Sequence, residues 1–448
     1  MPTVDEIVDT CSSDDISLIR LLYVGNDGIP RGRVVDAEHV KSVLDSGINL
    51  TSAMQSFNSL DNLAPNGRFG ATGEIRMVPN PETFRVLPYA DQAAVMLCDM
   101  HNLDRTPWDA DPRSALTSFL DDLPYEAEVA FESEFYLTRE DEEGKMAPFD
   151  DSVCFSADGM QSVNDLMLDM TDALKAQGMD IVAYYPEYGP GQQELVVKHA
   201  PGVQAADNHV LYKQTVKGVA DNHGIDATFV PKPFPDVAGS GCHVHVSLWS
   251  DGENAFYNPD SEGPYSLSET ARQFIAGVLD HAPSLLALTA PTVTSYRRLR
   301  PHTWASAFTC WGQDNREAIC RVPSSQWDDP AKTTRFEFKP ADNTANPYLA
   351  ELGLLAAGMD GVERGLDPGA PVNKDPANLP TAERAERSIK RLPETLGEAI
   401  DAFEDDDVLR DALGETLHGA YVEVKRSQWD EFTGTVTDWE LETFTRAF

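Results

Sequence analysis

The chain has 448 residues, 41% of them hydrophobic, which is enough to build two or three globular domains with buried cores. Asp and Glu number 74 against 35 Lys and Arg, so the net charge is −39, and the acids recur in short patches along the whole chain. This charge disfavours nucleic acid and anionic membranes as partners, because both attract basic patches.

The N-terminal hundred residues alternate short apolar runs with polar loops. The runs at 16–24 and 93–100 predict strands. A helix is predicted to begin just after residue 110, because Asp111 is a good N-cap and Pro112 suits the first helical position. We therefore expect a domain boundary near 105–110, with an N-terminal domain over 1–107 and a larger domain over 108–448.

The larger region mixes strand and helix patterns. It predicts strands over 126–137, near 181–197 and near 226–248, a helix over about 160–178, and a helix capped by Ser268. Charged helical segments follow the proline-rich stretch 367–381 and continue to the C-terminus. Strands collected in the middle, with helices on their flanks, predict an α+β fold.

Two features predict a cytoplasmic protein. The six cysteines are scattered without a CxxC pair, which favours reduced thiols over a disulfide framework or a structural zinc site. The N-terminus is acidic and lacks an apolar signal core, and no apolar run approaches the length of a membrane span. The dispersed acids further indicate adaptation to a high-salt cytoplasm, where salt screens the self-repulsion of the surface.

Two predicted strands carry polar side chains on one face. In GSGCHVHVSL (239–248), His243, His245 and Ser247 share a face, because successive strand side chains alternate. In AEVAFESEFYL (127–137), Glu132 and Glu134 do the same. A half-buried strand that happens to carry histidine is the simpler interpretation of the first pattern, whereas two acids on one face, flanked by aromatics, favour a functional site.

Further charged side chains stand in two short motifs. YYPEYGPGQQELVV (184–197) has Glu187 and Glu194 on either side of a Gly-Pro-Gly turn, which taken alone also fits a solvated hairpin tip. TTRFEFKPADNTANPY (333–348) places Arg335, Glu337 and Lys339 on one strand face and phenylalanines on the other. A solvated edge strand has the same pattern, but the paired phenylalanines favour a cleft.

These acids and histidines suit a divalent ion that supports phosphoryl transfer. Oxygen-rich sites with one nitrogen favour Mg²⁺ or Mn²⁺ over zinc, and two such ions form a clamp on a transferring phosphoryl group. Arginine-rich SYRRLRP (295–301) and NREAICRVP (315–323) supply bases to hold phosphate. A cupin-type metal site fits less well, because the acids that follow the His-x-His strand, Asp251 and Glu253, lie in a turn.

The motifs, in this order along nearly the whole chain, resemble the glutamine synthetase family, specifically its bacterial and archaeal dodecameric type. They are FESEF (131–135), PEYGPGQQE (186–194), PKP (231–233), GSGCHVHVSL (239–248), SYRRL (295–299), NREAICRVP (315–323) and RFEFKPADNTANPYL (335–349). The resemblance implies a small N-terminal β-grasp domain and a large catalytic domain with an antiparallel sheet and flanking helices. It also implies a dodecamer of two hexameric rings with active sites between subunits, and the acid excess indicates a halophilic archaeal member.

The resemblance implies a role for each matching position. Two or more Mg²⁺ or Mn²⁺ ions are expected per site, the first held by Glu134, Glu187 and Glu194 and the second by Glu132, His243 and Glu337. Binding of ATP is implied for His245, Ser247 and Arg321, and binding of glutamate for Gly239 and Arg298. Arg316, together with Arg321, matches the residues that steady the transferring phosphoryl group, and Lys339 stands where the family has an arginine near the γ-carboxylate.

The implied reaction has two steps. ATP phosphorylates the γ-carboxylate of glutamate, and a nitrogen nucleophile then displaces phosphate from the acyl phosphate. Arginines and metal ions stabilise the charge of the transferring group, which is the recurring requirement of phosphoryl transfer.

Two positions depart from the family at the expected ammonium pocket. Thr51, in INLTSAM (48–54), stands where the family has an aspartate, and Trp304 stands where it has a flap glutamate. Ammonium needs paired carboxylates to offset its desolvation, whereas an indole packs against methylenes or holds a larger ammonium by cation–π contact. These residues favour the branch that makes γ-glutamyl amides of putrescine, other polyamines or alkyl amines. Ala377 replaces the tyrosine that some bacterial members adenylylate, so that control is not expected.

Two other functions remain open at this point. One is true glutamine synthetase, with ammonia as the nucleophile and Trp304 serving only to pack the flap. The other is a catalytically inactive member used as a structural or nitrogen-sensing protein. The six matching metal ligands, with Arg298, Arg316 and Arg321, speak against the inactive member.

Overall fold

The computed structural model describes residues 2–261 and 264–448, in which two β-sheets follow one another along the chain. The first sheet has the order β2-β1-β6-β4-β3, with β5 beside β6 and with β1 parallel to β6. Its strands are β1 (Leu18–Val24), β2 (Pro30–Asp36), β3 (Ile48–Thr51), β4 (Glu74–Pro79), β5 (Arg85–Val86) and β6 (Ala93–His101). Helices α1 (Val4–Ser13) and α2 (Val40–Ser46) accompany this sheet, and its core contains side chains such as Ile19, Leu21 and Met96.

The second sheet has the order β15-β16-β17-β13-β7-β10-β9, and shorter strands pair with its two longest members. Its strands are β7 (Glu126–Glu140), β8 (Met146–Pro148), β9 (Ile181–Pro186), β10 (Gln192–Val197), β11 (Ala200–Pro201), β12 (Asp226–Thr228), β13 (Cys242–Ser250), β14 (Glu253–Asn254), β15 (Phe308–Gln313), β16 (Ala318–Val322) and β17 (Phe336–Phe338). These strands pair antiparallel except for β15 and β16, which run parallel.

Helices cover one face of the second sheet and fill the C-terminal part of the chain. They are α3 (Pro112–Asp122), α4 (Ala157–Ser162), α5 (Asn164–Ala176), α6 (Val203–Asn222), α7 (Glu269–Asp280), α8 (Ala282–Thr289), α9 (Ser295–Arg298), α10 (Pro330–Thr333), α11 (Pro347–Glu363), α12 (Thr381–Glu386), α13 (Leu396–Glu404), α14 (Asp407–Leu413), α15 (Glu415–Gly434) and α16 (Asp438–Phe444). Short 3₁₀ helices lie at Ala37–His39, Ser52–Ser56, Pro81–Thr83, Pro264–Ser266 and Pro376–Asn378. The apolar faces of β7 and β13 pack against these helices in one large core, which leaves the other sheet face for polar side chains.

The predicted α+β fold is confirmed, and most predicted elements occur where the patterns placed them. The Asp111 side chain caps α3, with Pro112 in the first turn, and the Ser268 side chain caps α7. Two predictions need correction. The strand expected near 226–248 is two strands, β12 and β13, separated by a glycine-containing loop. The helix expected over 160–178 begins earlier, and it breaks at Val163 into α4 and α5.

A buried charge network joins β6 of the first sheet to α6 and α11 through the first turn of α3. Arg113 donates to Asp207 on α6 at 2.9 and 2.8 Å and to Asp99 on β6 at 2.5 Å. Tyr348 on α11 also donates to Asp207, at 2.8 Å. Arg113 is only 5% exposed, so its charge depends on these acids for compensation.

Within residues 2–261 and 264–448, no helix combines the length and apolar character that crossing a membrane requires.

Candidate active site

The polar face of the second sheet is organised by the register of β7 with its two neighbours. Glu132 on β7 lies opposite His243 on β13, and Glu134 lies opposite Glu194 on β10. Paired residues of antiparallel strands point to the same face, so all four side chains project from one side of the sheet. Glu132 and Glu134 are two residues apart, which separates the two pairs by about 6–7 Å along the strand.

The first of these pairs belongs to a cluster of Glu132, His243 and Glu337, called here the histidine cluster. His243 Nδ1 lies 3.3 Å from Glu132 Oε2 and 3.3 Å from Glu337 Oε1. One ligand atom of each residue lies within 4.8 Å of one such atom of the other two. Glu337 reaches this place from β17, which pairs with β13 on the side away from β7. The structure thus brings together the three residues predicted for the second ion.

Basic side chains compensate the histidine cluster. Lys339 Nζ lies 3.3 Å from both His243 Nε2 and Glu337 Oε1, and Arg321 Nη1 donates to Glu337 Oε2 at 2.7 Å. Burial opposes ionisation of Glu337, but Lys339 and the other nearby cations outweigh burial and hold its pKa far below the usual range. For Glu132 the two histidines of β13 likewise outweigh burial and lower the pKa. Both carboxylates are therefore ionised and available to a cation.

The second pair belongs to a cluster of Glu134, Glu187 and Glu194, called here the glutamate cluster. Glu187 directly follows β9, in the turn that leads into β10, as the predicted hairpin requires. Gln192 Nε2 donates to Glu134 Oε2 at 3.1 Å, and Tyr185 Oη donates to Glu194. These bonds hold the carboxylates at the edge of the polar face.

The acids of the glutamate cluster repel one another. Burial, followed by the charge of Glu134, raises the pKa of Glu187 to about 7. Burial, followed by the charges of Glu132 and Glu134, raises the pKa of Glu194. A divalent cation would offset this repulsion, because an opposite charge favours the ionised carboxylates. The donor set, rich in oxygen with one imidazole, fits Mg²⁺ or Mn²⁺.

His245 and Ser247 continue the polar face along β13. His245 Nε2 lies 3.4 Å from Glu132 Oε2, and its Nδ1 accepts a hydrogen bond from Arg335 Nε at 3.1 Å. Ser247 lies farther along the strand, where its hydroxyl accepts a bond from Trp249 Nε1 at 3.0 Å. His245 is thus part of the charged site, whereas Ser247 lies at its margin.

The loop before β13 depends on glycine beside Arg298. A Cβ on Gly239 would lie 2.8 Å from Arg298 Cγ and 2.6 Å from Pro231 O, so a larger residue would displace the arginine. Arg298 is 5% exposed and donates to the backbone oxygens of Lys339 and Pro340, at 2.8 Å each. Burial lowers its pKa. Gly239 and Arg298 therefore form one unit next to the site.

The remaining three predicted site residues also lie outside these clusters. Arg316 is exposed in the turn between β15 and β16, and its charge acts on Glu187. Trp304 is 60% exposed, in the loop between α9 and β15. Thr51 ends β3 in the first sheet, where its hydroxyl accepts a bond from Ala53 N. A single chain thus carries Thr51 in one sheet and the predicted ligands in the other.

Another group of acids with a histidine has the composition of a metal site but a different explanation. His281 Nδ1 lies 2.7 Å from Asp406 and its Nε2 lies 3.0 Å from Asp360. Burial lowers the pKa of His281, but these two hydrogen bonds outweigh it and raise the pKa to about 9. These contacts make His281, Asp360 and Asp406 an ion-pair group that links helices.

Some contacts of the site were not predicted from the sequence. Tyr185 and Gln192 bind the glutamate cluster, and the Tyr188 ring approaches the Trp304 ring. Glu317, which follows Arg316 in the chain, accepts a bond from Trp304 N at 2.8 Å. The only sequence signal for Tyr188 and Glu317 was adjacency to a predicted site residue, which does not indicate a contact.

Family models match nearly the whole chain. Residues 109–444 match the model described as "Glutamine synthetase, catalytic domain", and residues 3–108 match the model described as "Glutamine synthetase N-terminal domain". The matched catalytic range contains both clusters and the arginines around them.

Individual relatives agree with these models. The chain is 34% identical to glutamine synthetase of Methanocaldococcus jannaschii, an alignment that covers 98% of this chain and 97% of the relative. It is 33% identical to glutamine synthetase of Halobacterium salinarum, over 99% of this chain and 96% of the relative. Its fold is similar to a solved complex of GmaS with ADP, with a TM-score of 0.86, 28% identity and full coverage of both chains.

Proposed function

Because this chain belongs to the glutamine synthetase family, and is therefore an ATP-dependent carbon–nitrogen ligase, we propose that it joins the γ-carboxylate of glutamate to an amine larger than ammonium. The family uses glutamate, ATP and an amine or ammonia. An alkyl amine or a polyamine such as putrescine is the proposed nucleophile. The observation that carries this proposal is Trp304, where the family resemblance leads us to expect an acid. Its indole is exposed and lies next to Tyr188, which directly follows Glu187 of the glutamate cluster.

The family also uses divalent metal ions, and we propose how this chain holds them. The glutamate cluster is the proposed site for one ion and the histidine cluster for the other. The fit is supported by the close ligand atoms of the histidine cluster and by the mutual repulsion within the glutamate cluster. Bound Mg²⁺ or Mn²⁺ supplies charge stabilisation to the phosphates of ATP.

The remaining side chains have proposed tasks that follow from their placement. Buried Arg298, with Gly239 beside it, binds the α-carboxylate of glutamate. Arg316 and Arg321 steady the transferring phosphoryl group, because a guanidinium forms bidentate hydrogen bonds to phosphate oxygens. His245 and Ser247 line the nucleotide side of the sheet. Lys339 keeps Glu337 ionised and directs positive charge towards the γ-carboxylate.

Two other functions are separated from this one by simple measurements. True glutamine synthetase would use ammonia best, with Trp304 only packing the flap. A catalytically inactive, nitrogen-sensing member would release no ADP with any nucleophile. The close ligand atoms of Glu132, His243 and Glu337 favour an active enzyme, and the GmaS relative was solved with ADP, the product of ATP consumption.

The proposal predicts the order of nucleophiles in an amine panel. With saturating glutamate and ATP at high salt, kcat/KM for an alkyl amine or diamine should exceed that for ammonium more than tenfold. Burial of each methylene of the amine contributes about 0.8 kcal/mol, and about 1.4 kcal/mol corresponds to a tenfold change in kcat/KM. Two or three buried methylenes are therefore enough to give the expected preference. ADP release across the panel measures this order. If ammonium is the best nucleophile, the proposal is contradicted and the protein is an ordinary glutamine synthetase.

Restoring acids provides the matched control for that panel. The double variant Thr51→Asp with Trp304→Glu should move the preference back towards ammonium, because paired carboxylates offset the desolvation of a small cation. Val182→Ala, at an exposed position on β9, should keep the wild-type order. An unchanged order in the double variant would contradict the assignment of these two positions.

We also propose the assembly and the domain division that the resemblance implies. The domains meet between residues 107 and 108, which is supported by the separate sheets on either side.

A dodecamer of two hexameric rings would bring Thr51 of one subunit to the clusters of the next. Exposed apolar side chains near the C-terminus support association with further copies; they are Val436, Trp439, Leu441, Phe444 and Phe448.

A cytoplasmic, halophilic setting is proposed from the charge of the chain. With a net charge of −39, the assembly and its activity should persist in molar KCl and weaken after dilution into low salt. The Debye length rises from about 3 Å at 1 M to about 30 Å at 0.01 M, so repulsion between acids is no longer screened. Thermal unfolding and size-exclusion profiles at both salt concentrations measure the effect. Equal stability at both would contradict the halophilic setting.

A further inference from the structure

The tip of the β9–β10 hairpin meets the loop that follows α9 through two aromatic rings. The centroids of Tyr188 and Trp304 lie 6.4 Å apart, with the ring planes at 58°. Both residues remain exposed, at 68% and 60%, although large aromatic side chains are normally more deeply buried. Their contact therefore leaves most of both rings free to meet a ligand.

The backbone around Trp304 is held in a conformation that costs energy. His302, Trp304 and Ser306 have φ values of 63°, 58° and 63°, in the left-handed region that residues other than glycine rarely adopt. Three hydrogen bonds fix these residues. His302 Nδ1 lies 2.6 Å from Asp375 Oδ2. Trp304 N donates to Glu317 Oε1 at 2.8 Å, and Ser306 Oγ donates to Ala318 O at 3.0 Å. Repeated strain of this kind persists where the surrounding structure enforces it, and it is concentrated at functional sites. Here the strained backbone fixes the position of Trp304, whose indole is too exposed to be fixed by packing.

The same corner of the molecule carries strong negative charge. Tyr188 directly follows Glu187, and its backbone N–H donates to Glu187 Oε2 at 2.9 Å. Glu187 interacts electrostatically with Glu134 and Glu132, so the two rings border the acidic face of the sheet. Carboxylates attract a cation, and exposed aromatic faces bind its charged head and its hydrocarbon chain. This combination suits an organic ammonium ion that carries several carbons.

We propose that Tyr188 and Trp304 form one surface that binds the carbon chain of the amine, and that the nucleophile is a primary amine with several consecutive methylenes. This inference rests on the proposed function. It adds Tyr188 as a specificity-determining residue, and it assigns Glu317 as a positioning residue that acts through the backbone of Trp304.

The test uses a chain-length series of ammonium, methylamine, propylamine, butylamine and 1,4-diaminobutane with the full-length enzyme. In the wild type, log kcat/KM should rise with each methylene. In Tyr188→Ala the gain from methylamine to butylamine should fall about five- to tenfold, since the added methylenes lose their apolar contact with one of the two rings. Tyr188→Phe should keep the wild-type gain, as should Val182→Ala on the same hairpin. An unchanged gain in Tyr188→Ala would overturn the inference.

A double-mutant cycle tests whether the two rings act as one surface. Tyr188→Ala combined with Trp304→Ala should lose little more chain-length gain than either single variant, because residues in contact are not additive. Fully multiplicative losses would overturn the proposal of a single surface. Glu317→Ala should reduce the gain and raise KM for the amine, while Glu317→Gln, which keeps an acceptor for Trp304 N, should restore both.

Fluorescence provides a readout that does not depend on turnover. With Mg²⁺, ADP and glutamate present, butylamine should change the tryptophan emission of the wild type, and this change should be absent in Trp304→Phe. The same signal in Trp304→Phe would contradict contact with the indole. The outcomes also separate the two proposals: ammonium as the best wild-type nucleophile defeats the proposed function, whereas an alkyl preference that persists in Tyr188→Ala defeats only this inference.

Discussion

His243→Ala and Glu337→Gln should each reduce Mg²⁺- or Mn²⁺-dependent ATP turnover by about a thousandfold. The reason is that a bound ion supplies several kcal/mol of charge stabilisation, and about 1.36 kcal/mol corresponds to a tenfold change in rate. Both residues belong to the histidine cluster, where His243 Nδ1 and Glu337 Oε1 are 3.3 Å apart. Glu337→Gln keeps the shape of the side chain but removes the charge that Lys339 and Arg321 surround. ADP release measures turnover, and equilibrium dialysis with Mn²⁺ measures the loss of bound ion.

The matched control for the metal prediction is His199→Ala. His199 also pairs with a glutamate of β7, since its Nδ1 lies 2.7 Å from Glu128 Oε2, but its side chain is 49% exposed. Turnover should stay near that of the wild type, and both site variants should keep the wild-type size in solution. Near-normal turnover in either site variant would show that the ligand assignment is wrong.

Arg113→Met should lower the free energy of unfolding by about 3–5 kcal/mol, the usual cost of leaving a buried charge without its partner. The methionine keeps the length of the side chain, so the loss comes from the charge that Asp207 and Asp99 would retain inside the protein. Asp207→Asn added to Arg113→Met should recover part of the stability, because it removes one uncompensated charge. Denaturant unfolding at molar KCl measures these differences.

Arg426→Met is the matched control for the buried network. Arg426 also contacts two acids, Asp401 and Glu404, but their side chains are 68% and 40% exposed. Exposed pairs contribute about 0–1 kcal/mol, so this variant should remain close to the wild type. A loss in Arg113→Met no larger than that in Arg426→Met would contradict the assigned role of the network.

Local patterns were sufficient to predict the faces of the active-site strands. The alternation of acids on β7 and of histidines on β13 determines which side chains share a face, because the side-chain period of a strand is two residues. The helix start at Asp111 and Pro112 was predictable for a similar reason, since capping depends on residues a few positions apart. The break at Val163 was not, because α4 and α5 follow a pattern that reads as one helix.

The sequence by itself determined the family, the fold class and the types of residue available to the site. Only the tertiary structure decided which of them meet. Strand order and register set Glu132 opposite His243 and Glu134 opposite Glu194, and those pairings join segments far apart in the chain. Arg113 and Asp207, 94 positions apart, and the rings of Tyr188 and Trp304 likewise meet only after the chain folds. Periodicity and capping act over a few residues, whereas these contacts depend on how whole strands, helices and loops pack together.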